Sequence, residues 1–247
     1  MFETFAREAL RLAAPPPRAR VVDVACGPGT LAVLAARAGH TVDAIDFSPK
    51  MIELLESRAR DARLSIAARV GDGQALPFAD NTYAAAFSLL GLMFFPDRAK
   101  GFAELARVLV PGARAVVSSW PPFETIGVMN AIVGVMRTHT AALGGPTPLA
   151  DQTAPLSSEA LCIAEMSAAF ADVAVHRVPH VARFASADAM WQSISSSLAP
   201  LVLLRNKIGE ERWRDIDRSG REAIARVIGN GPAEVTLTAL VSVGVKR

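Results

Sequence analysis

The sequence predicts an α/β fold, a doubly wound and mostly parallel seven-stranded sheet with an antiparallel C-terminal strand and helical insertions. Three observations carry this. Short apolar runs alternate with helical periodicity from residue 21 to about residue 120. The first run, residues 21–24, passes through Cys26-Gly27-Pro28-Gly29 directly into a helical stripe. The end of the chain alternates with period two, Leu237, Ala239, Val241, Val243 and Val245 against Thr236, Thr238, Leu240, Ser242 and Gly244. That alternation suits an antiparallel strand.

The elements follow in order. Residues 2–13 read as a helix with Phe2, Phe5, Ala9 and Leu12 on one face, ended by Pro15-Pro16-Pro17. It either packs on the sheet edge or forms a short flap over a ligand. Val21, Val22 and Val24 are β-branched and suit a strand covered on both faces. Leu31, Leu34, Ala35 and Ala38 form the stripe of the next helix, with Gly39 at its C-terminal cap. A second strand ends at Asp46. Ser48 is a suitable N-cap and Pro49 a suitable first residue for a helix to about residue 62. Residues 64–70 and 83–90 read as strands three and four. Asp97 caps a helix that turns Phe102, Leu105, Val108 and Leu109 inward. Val110-Pro111-Gly112-Ala113 is a type II turn into strand five, residues 113–120.

Strict alternation stops there. An apolar helix over about 125–143 precedes Gly144-Gly145-Pro146, and a helix capped by Ser157 runs to residue 170. Strand six covers 173–184. Helices over about 187–198 and 210–228 come before the final strand. The expected organisation is one domain over 1–247. It comprises a helix or flap (1–20), a ligand-binding core (21–120) and lid helices (121–170 and 186–230).

Composition narrows the class. Half the residues, 51%, are apolar, so a large core forms without staples. Two cysteines, Cys26 and Cys162, cannot build a disulfide framework and suit a cytoplasmic location. A net charge of +2 without a dense basic run argues against a nucleic-acid partner. The N-terminus carries Glu3, Arg7, Glu8 and Arg11 and offers no apolar leader. The longest apolar runs, 84–95 and 126–136, are shorter than the ~20 residues of a membrane span. A monomer or a homodimer is expected.

The chemistry gathers around residues 23–29. A strand, a glycine loop and a helix N-terminus form a nucleotide-type crevice at the carboxyl end of a parallel sheet. Gly27 and Gly29 admit positive φ and let a ligand lie against backbone. Their spacing, G-x-G-x-x-A, also fits a dinucleotide fingerprint, in which an acid placed as Asp46 is meets the ribose. Two stretches favour a different ligand. Asp23 ends the first strand ahead of Cys-Gly-Pro-Gly, and Gly71-Asp72-Gly73-Gln74-Ala75-Leu76-Pro77-Phe78 follows the third.

These two stretches, with the Pro111-Gly112 turn and the terminal strand, resemble the class I S-adenosylmethionine (SAM) dependent methyltransferases. The resemblance is to their small-molecule branch, which includes quinone-biosynthesis C-methyltransferases. It covers residues 21 to about 120 closely and the remainder by element order. Ala25 stands where the family has a glycine, and Tyr83-Ala84 where it has Phe-Asp.

The resemblance implies a Rossmann-like fold and a SAM site that releases S-adenosylhomocysteine. Asp23 would hold the methionine amino end, and Ala25, Cys26, Gly27 and Gly29 the backbone contact. Asp46 would bind the ribose. Phe47 and Met51 would flank the adenine, Asp72 and Gly73 would meet its polar edge, and Leu89 would border the cofactor. The acceptor would be a small apolar or aromatic metabolite in a pocket drawn from Met93, Phe94, Trp120, Met129, Val133 and Trp191. His139 is the one candidate general base. No Cys/His cluster has metal-ligand spacing. An NAD(P)-dependent oxidoreductase and a SAM-binding protein without methyl transfer are the alternatives. The first leaves the Asp72 stretch and the terminal strand unexplained, and turnover would exclude the second.

Overall fold

The computed structural model describes residues 2–141, 155–197 and 199–247. They fall into two compact units, the first comprising Met1–Pro121, Pro155–His180 and Thr238–Arg247, the second Pro122–Ala154 and Val181–Leu237.

The first unit begins with α1 (Phe2–Ala13), β1 (Arg20–Val24), α2 (Thr30–Arg37), β2 (Thr41–Asp46), α3 (Pro49–Asp61) and β3 (Ile66–Val70). Then come β4 (Tyr83–Leu89), α4 (Arg98–Val108), β5 (Leu109–Ser119), α6 (Glu159–Met166) and the greater part of β6 (Phe170–Phe184) and β7 (Ala233–Lys246). The seven strands form one sheet ordered β3-β2-β1-β4-β5-β7-β6. β1 pairs in parallel with β2 and β4, β2 with β3, and β4 with β5. β7 lies antiparallel to β5, Ala115 opposite Gly244 and Ser119 opposite Leu240. The Rossmann-like sheet with its antiparallel last strand is thus the one the sequence predicts. Chain order reverses between β1 and β4, and ligands enter open α/β sheets beside the carboxyl ends of such strands.

Period-two alternation sorts the strands between two cores. Val21, Val42, Ala44, Ala85, Phe87 and Val116 pack with Phe5 and Ala9 of α1, Leu31 and Ala35 of α2, and Leu55 of α3. Val22, Val24, Ile45, Ala86, Ala115 and Val117 pack on the other face with Phe102, Leu105 and Val108 of α4 and Met166 of α6.

Several boundaries differ from expectation. Phe2 is half exposed, because only Phe5, Ala6, Ala9, Leu12 and Ala13 of α1 reach the sheet. Ala38 is exposed: α2 stops at Arg37, and Gly39 turns the chain at φ +89°. The predicted Pro111-Gly112 turn lies inside β5, where Gly112 at φ +78° bends the strand and the register with β4 shifts. Ser158, not Ser157, caps α6, its hydroxyl accepting from the Leu161 N–H; Ser157 is buried.

The second unit holds α5 (Gly127–Ala141), α7 (Ala187–Ser197) and α8 (Ala199–Ile228). The continuation of the first helix to residue 143, the Gly144-Gly145-Pro146 breaker and Leu198 lie outside the described residues. α8 starts eleven residues before the predicted Glu210, and Gly209 breaks it at φ +78°, ψ +167°. Its core is built on Trp191, which is fully buried and stacked on Trp213 at 6.3 Å. The Trp191 indole N–H donates to Asp217 at 2.8 Å, and Asp217 also accepts from Arg221. Trp191 is therefore occupied within this unit's own core. Among the described residues, no helix is long and apolar enough to cross a membrane.

Candidate active site

The predicted loop leaves β1 through three left-handed residues. Ala25 has φ +54°, Gly27 +52° and Gly29 +77°. Ala25 adopts this conformation despite its methyl, which fits because residue 91 is also a glycine. A Cβ at Gly91 would stand 2.5 Å from that of Ala25. Gly91 lies two residues past β4, and its pairing with Ala25 has no sign in the sequence. The Cys26 N–H extends the β1–β2 pairing by donating to the Ile45 carbonyl at 3.1 Å.

The two loop glycines do different work. A Cβ at Gly29 would lie 2.1 Å from Leu55 of α3, whereas nothing stands within 4 Å of a Cβ at Gly27. Gly29 is small so that α3 can pack, and Gly27 leaves open space beside backbone. Arg58 of α3 holds the loop from outside, donating to the Pro28 carbonyl at 2.7 Å. Nothing in the sequence pattern pointed to Arg58.

Asp23 is 2% exposed and accepts from the Ala32 N–H at 3.1 Å. Gly29, the N-cap of α2, has no side chain to serve the first turn, so Asp23 supplies the missing acceptor. Burial pushes its carboxyl up to about 7; the Ala32 N–H opposes this rise and the nearby Asp46 carboxylate adds to it. Burial beside the same two carboxylates also drives the Cys26 thiol far above its usual range, so it offers no thiolate.

Asp46 is 5% exposed at the end of β2. One carboxylate oxygen accepts from the Gly27 N–H at 2.8 Å and the other from the Ser48 N–H at 2.9 Å. Ser48 itself makes no side-chain cap, which corrects the expected capping role, while Pro49 does open α3. Phe47 is 81% exposed, and Met51 and Leu89 are half-buried.

After β3, Asp72 is exposed and accepts from the Gln74 backbone N–H at 2.8 Å and its side-chain amide at 3.1 Å. Those bonds hold its carboxyl below the usual range. Gly73 is buried, and a Cβ there would meet the Phe95 ring at 2.4 Å and Val24 at 2.9 Å. Packing therefore requires that glycine even before any ligand does. Two buried serines fix the turn after β4: Leu92 N–H donates to the Ser88 hydroxyl, and Leu90 N–H to the Ser118 hydroxyl. Their signal was polar residues in otherwise apolar strands.

The glycine loop, Asp46 and the Asp72 turn thus follow the carboxyl ends of β1, β2 and β3, three adjacent strands. Their carboxylates are those of Asp23, Asp46 and Asp72, with the Cys26 thiol and the Gln74 amide beside them. The carboxylates accept hydrogen bonds and balance positive charge, so they suit a ligand with an ammonium group, sugar hydroxyls and an exocyclic amine. His139 lies on α5 in the second unit, with Nε2 3.1 Å from the Ser219 hydroxyl of α8. Among the described residues, no group of three or more His, Cys, Asp or Glu is placed to hold a metal.

Residues 21–112 match a family described as a methyltransferase domain. An uncharacterized protein of Mycobacterium tuberculosis is 29% identical over 88% of this chain and 78% of its own length. The demethylmenaquinone methyltransferase of Deinococcus radiodurans is 39% identical, over 49% of this chain and 50% of that enzyme. Among solved structures, a geranyl diphosphate methyltransferase in complex with SAM superimposes with a TM-score of 0.57. It is 20% identical, with coverage of 98% of this chain and 85% of that one.

Proposed function

From the premise that residues 21–112 form a methyltransferase domain on a Rossmann-like fold, we propose that the chain transfers a methyl group from SAM to a small apolar or aromatic metabolite. The observation that carries the reading is the row of three carboxylates, Asp23, Asp46 and Asp72, at the carboxyl ends of β1, β2 and β3, beside the open backbone at Gly27. Its complement is a nucleoside that bears an amino acid with a free ammonium group. The residues fit it: Asp23 balances the ammonium, Asp46 takes ribose hydroxyls, and Asp72 takes the adenine amino group beside the Gly73 backbone. Phe47, Met51 and Leu89 supply apolar contact, and the Ala25–Gly29 loop supplies backbone.

When bound, SAM supplies an electrophilic methyl on a sulfonium. The protein's task is alignment and exclusion of water, which in well-oriented reactions contributes about 7–11 kcal/mol. A base is needed only where the acceptor loses a proton as it reacts, and His139 is the candidate. The quinone-pathway relative supports a ring-bearing acceptor. We further infer that the chain, 1–247, works as one functional domain. It would act in the cytoplasm as a monomer or homodimer, without a nucleic-acid partner.

Calorimetry with S-adenosylhomocysteine, NADH and NADPH tests the cofactor. Micromolar binding of the first alone is expected, and binding of a nicotinamide instead overturns the reading. Mass spectrometry of reactions with SAM and a panel of quinols and phenols then reads methyl transfer. Binding without product on any acceptor would leave a SAM-binding protein.

A further inference from the structure

The loop between β3 and β4 is held in place by side chains from α4. Leu76 is buried in a stretch without regular structure, so its backbone groups cannot join a ladder and must find other partners. Both partners come from α4: the Leu76 N–H donates to Glu104 at 2.6 Å, and its carbonyl accepts from Arg107 at 2.9 Å. A second Arg107 nitrogen reaches the Phe78 carbonyl at 2.7 Å and Asp80 at 2.7 Å. Glu104 and Arg107 are joined by two further bonds of 2.7 and 2.8 Å, so the fork is rigid. Gln74 makes a third tie, its side-chain oxygen accepting from the Asp97 N–H at 2.8 Å while its amide donates to Asp72. Three residues separate Leu76 from Asp72, and the intervening chain is closed on itself by the Ala75 N–H to Asp72 carbonyl bond.

We infer that Glu104 and Arg107 are positioning residues that fix Asp72 and Gly73, and so set the preference of the site for an adenine over a base lacking its exocyclic amine. This rests on the proposed SAM site. Neither residue touches the ligand. Lysine cannot replace Arg107, because a single ammonium does not reproduce the fork that serves two carbonyls and two carboxylates.

The test is calorimetric and independent of turnover. Dissociation constants are measured on the full chain for S-adenosylhomocysteine and for S-inosylhomocysteine, whose exocyclic carbonyl oxygen would face Asp72 where the amine would stand. The wild type should prefer the adenosyl ligand about tenfold or more. Arg107→Lys and Glu104→Gln should at least halve that ratio, chiefly by weakening adenosyl binding. Lys246→Met removes a nearby cation that bonds Asn81 and the Arg107 and Leu109 carbonyls but not the 72–78 loop, and it should leave the ratio unchanged. Circular dichroism checks that each variant is folded; if Arg107→Lys is not, Glu104→Gln decides. An unchanged ratio in a folded variant, or equal loss for both ligands, overturns the inference alone. A wild type that binds neither ligand overturns both it and the proposed function.

Discussion

The Asp46 carboxylate accepts a hydrogen bond from the Gly27 backbone N–H at 2.8 Å. The residue proposed to bind the ribose therefore also holds the glycine loop in shape, while its other oxygen opens α3 through Ser48. A ribose hydroxyl would share a carboxylate that is already aimed.

Asp46→Ala should accordingly have two effects. Loss of two charged-acceptor bonds lowers stability by about 1–3 kcal/mol, read as a fall in thermal midpoint. Affinity for S-adenosylhomocysteine should fall about 10- to 100-fold. Wild-type affinity would sink the ribose assignment, and an unchanged midpoint would sink the clamp.

The two loop glycines should separate experimentally. Gly27→Val places its side chain in open space, so the protein should fold with a left-handed strain of about 1–2 kcal/mol and lose ligand binding. Gly29→Ala drives a methyl into Leu55 and should cost about 1–3 kcal/mol in overpacking on top of its own strain. Denaturant melts of both, with a binding titration of Gly27→Val, check this. Retained binding in Gly27→Val would mean that the ligand lies elsewhere.

Asp23 gives the protein a pH dependence of definite sign. Its carboxyl titrates near 7 in the fold, against about 3.9 in an unfolded chain. Between those values the folded protein keeps a proton that the unfolded chain has released. Stability therefore falls as pH rises from about 4 to 7 and then levels off. Asp23→Asn retains an acceptor for the Ala32 N–H and should raise stability at pH 8 by on the order of 3 kcal/mol. In the wild type, S-adenosylhomocysteine should bind more tightly at pH 8 than at pH 6, because only the ionised carboxylate balances an ammonium. The facing titratable groups are Asp46 and Cys26, and the thiol stays neutral throughout. Flat affinity across that range would remove Asp23 from the ammonium site.

With a phenolic acceptor, His139→Gln should lower kcat about 100-fold. Affinity for S-adenosylhomocysteine should stay unchanged. An unaltered kcat would reduce His139 to its bond with Ser219.

The sequence by itself determined the doubly wound sheet, its antiparallel last strand and the acidic residues at the ends of its strands. Those features are local: β-branched runs, glycine spacing and the period of burial are written in neighbouring residues. Asp23, Gly27, Asp46 and Asp72 were legible for that reason. What only the tertiary structure decided is how each is held. Asp23 serves the first turn of α2 because Gly29 has no side chain to do so. Ala25 tolerates its turn because residue 91, far along the chain, lacks a Cβ. Gly73 is required by Phe95 and Val24, and Trp191 is taken up by Trp213 and Asp217. Glu104 and Arg107 serve the backbone N–H and carbonyl of Leu76, 28 and 31 residues before them in the chain. Each of these depends on residues brought together by long-range packing, and spacing along one chain carries no record of that.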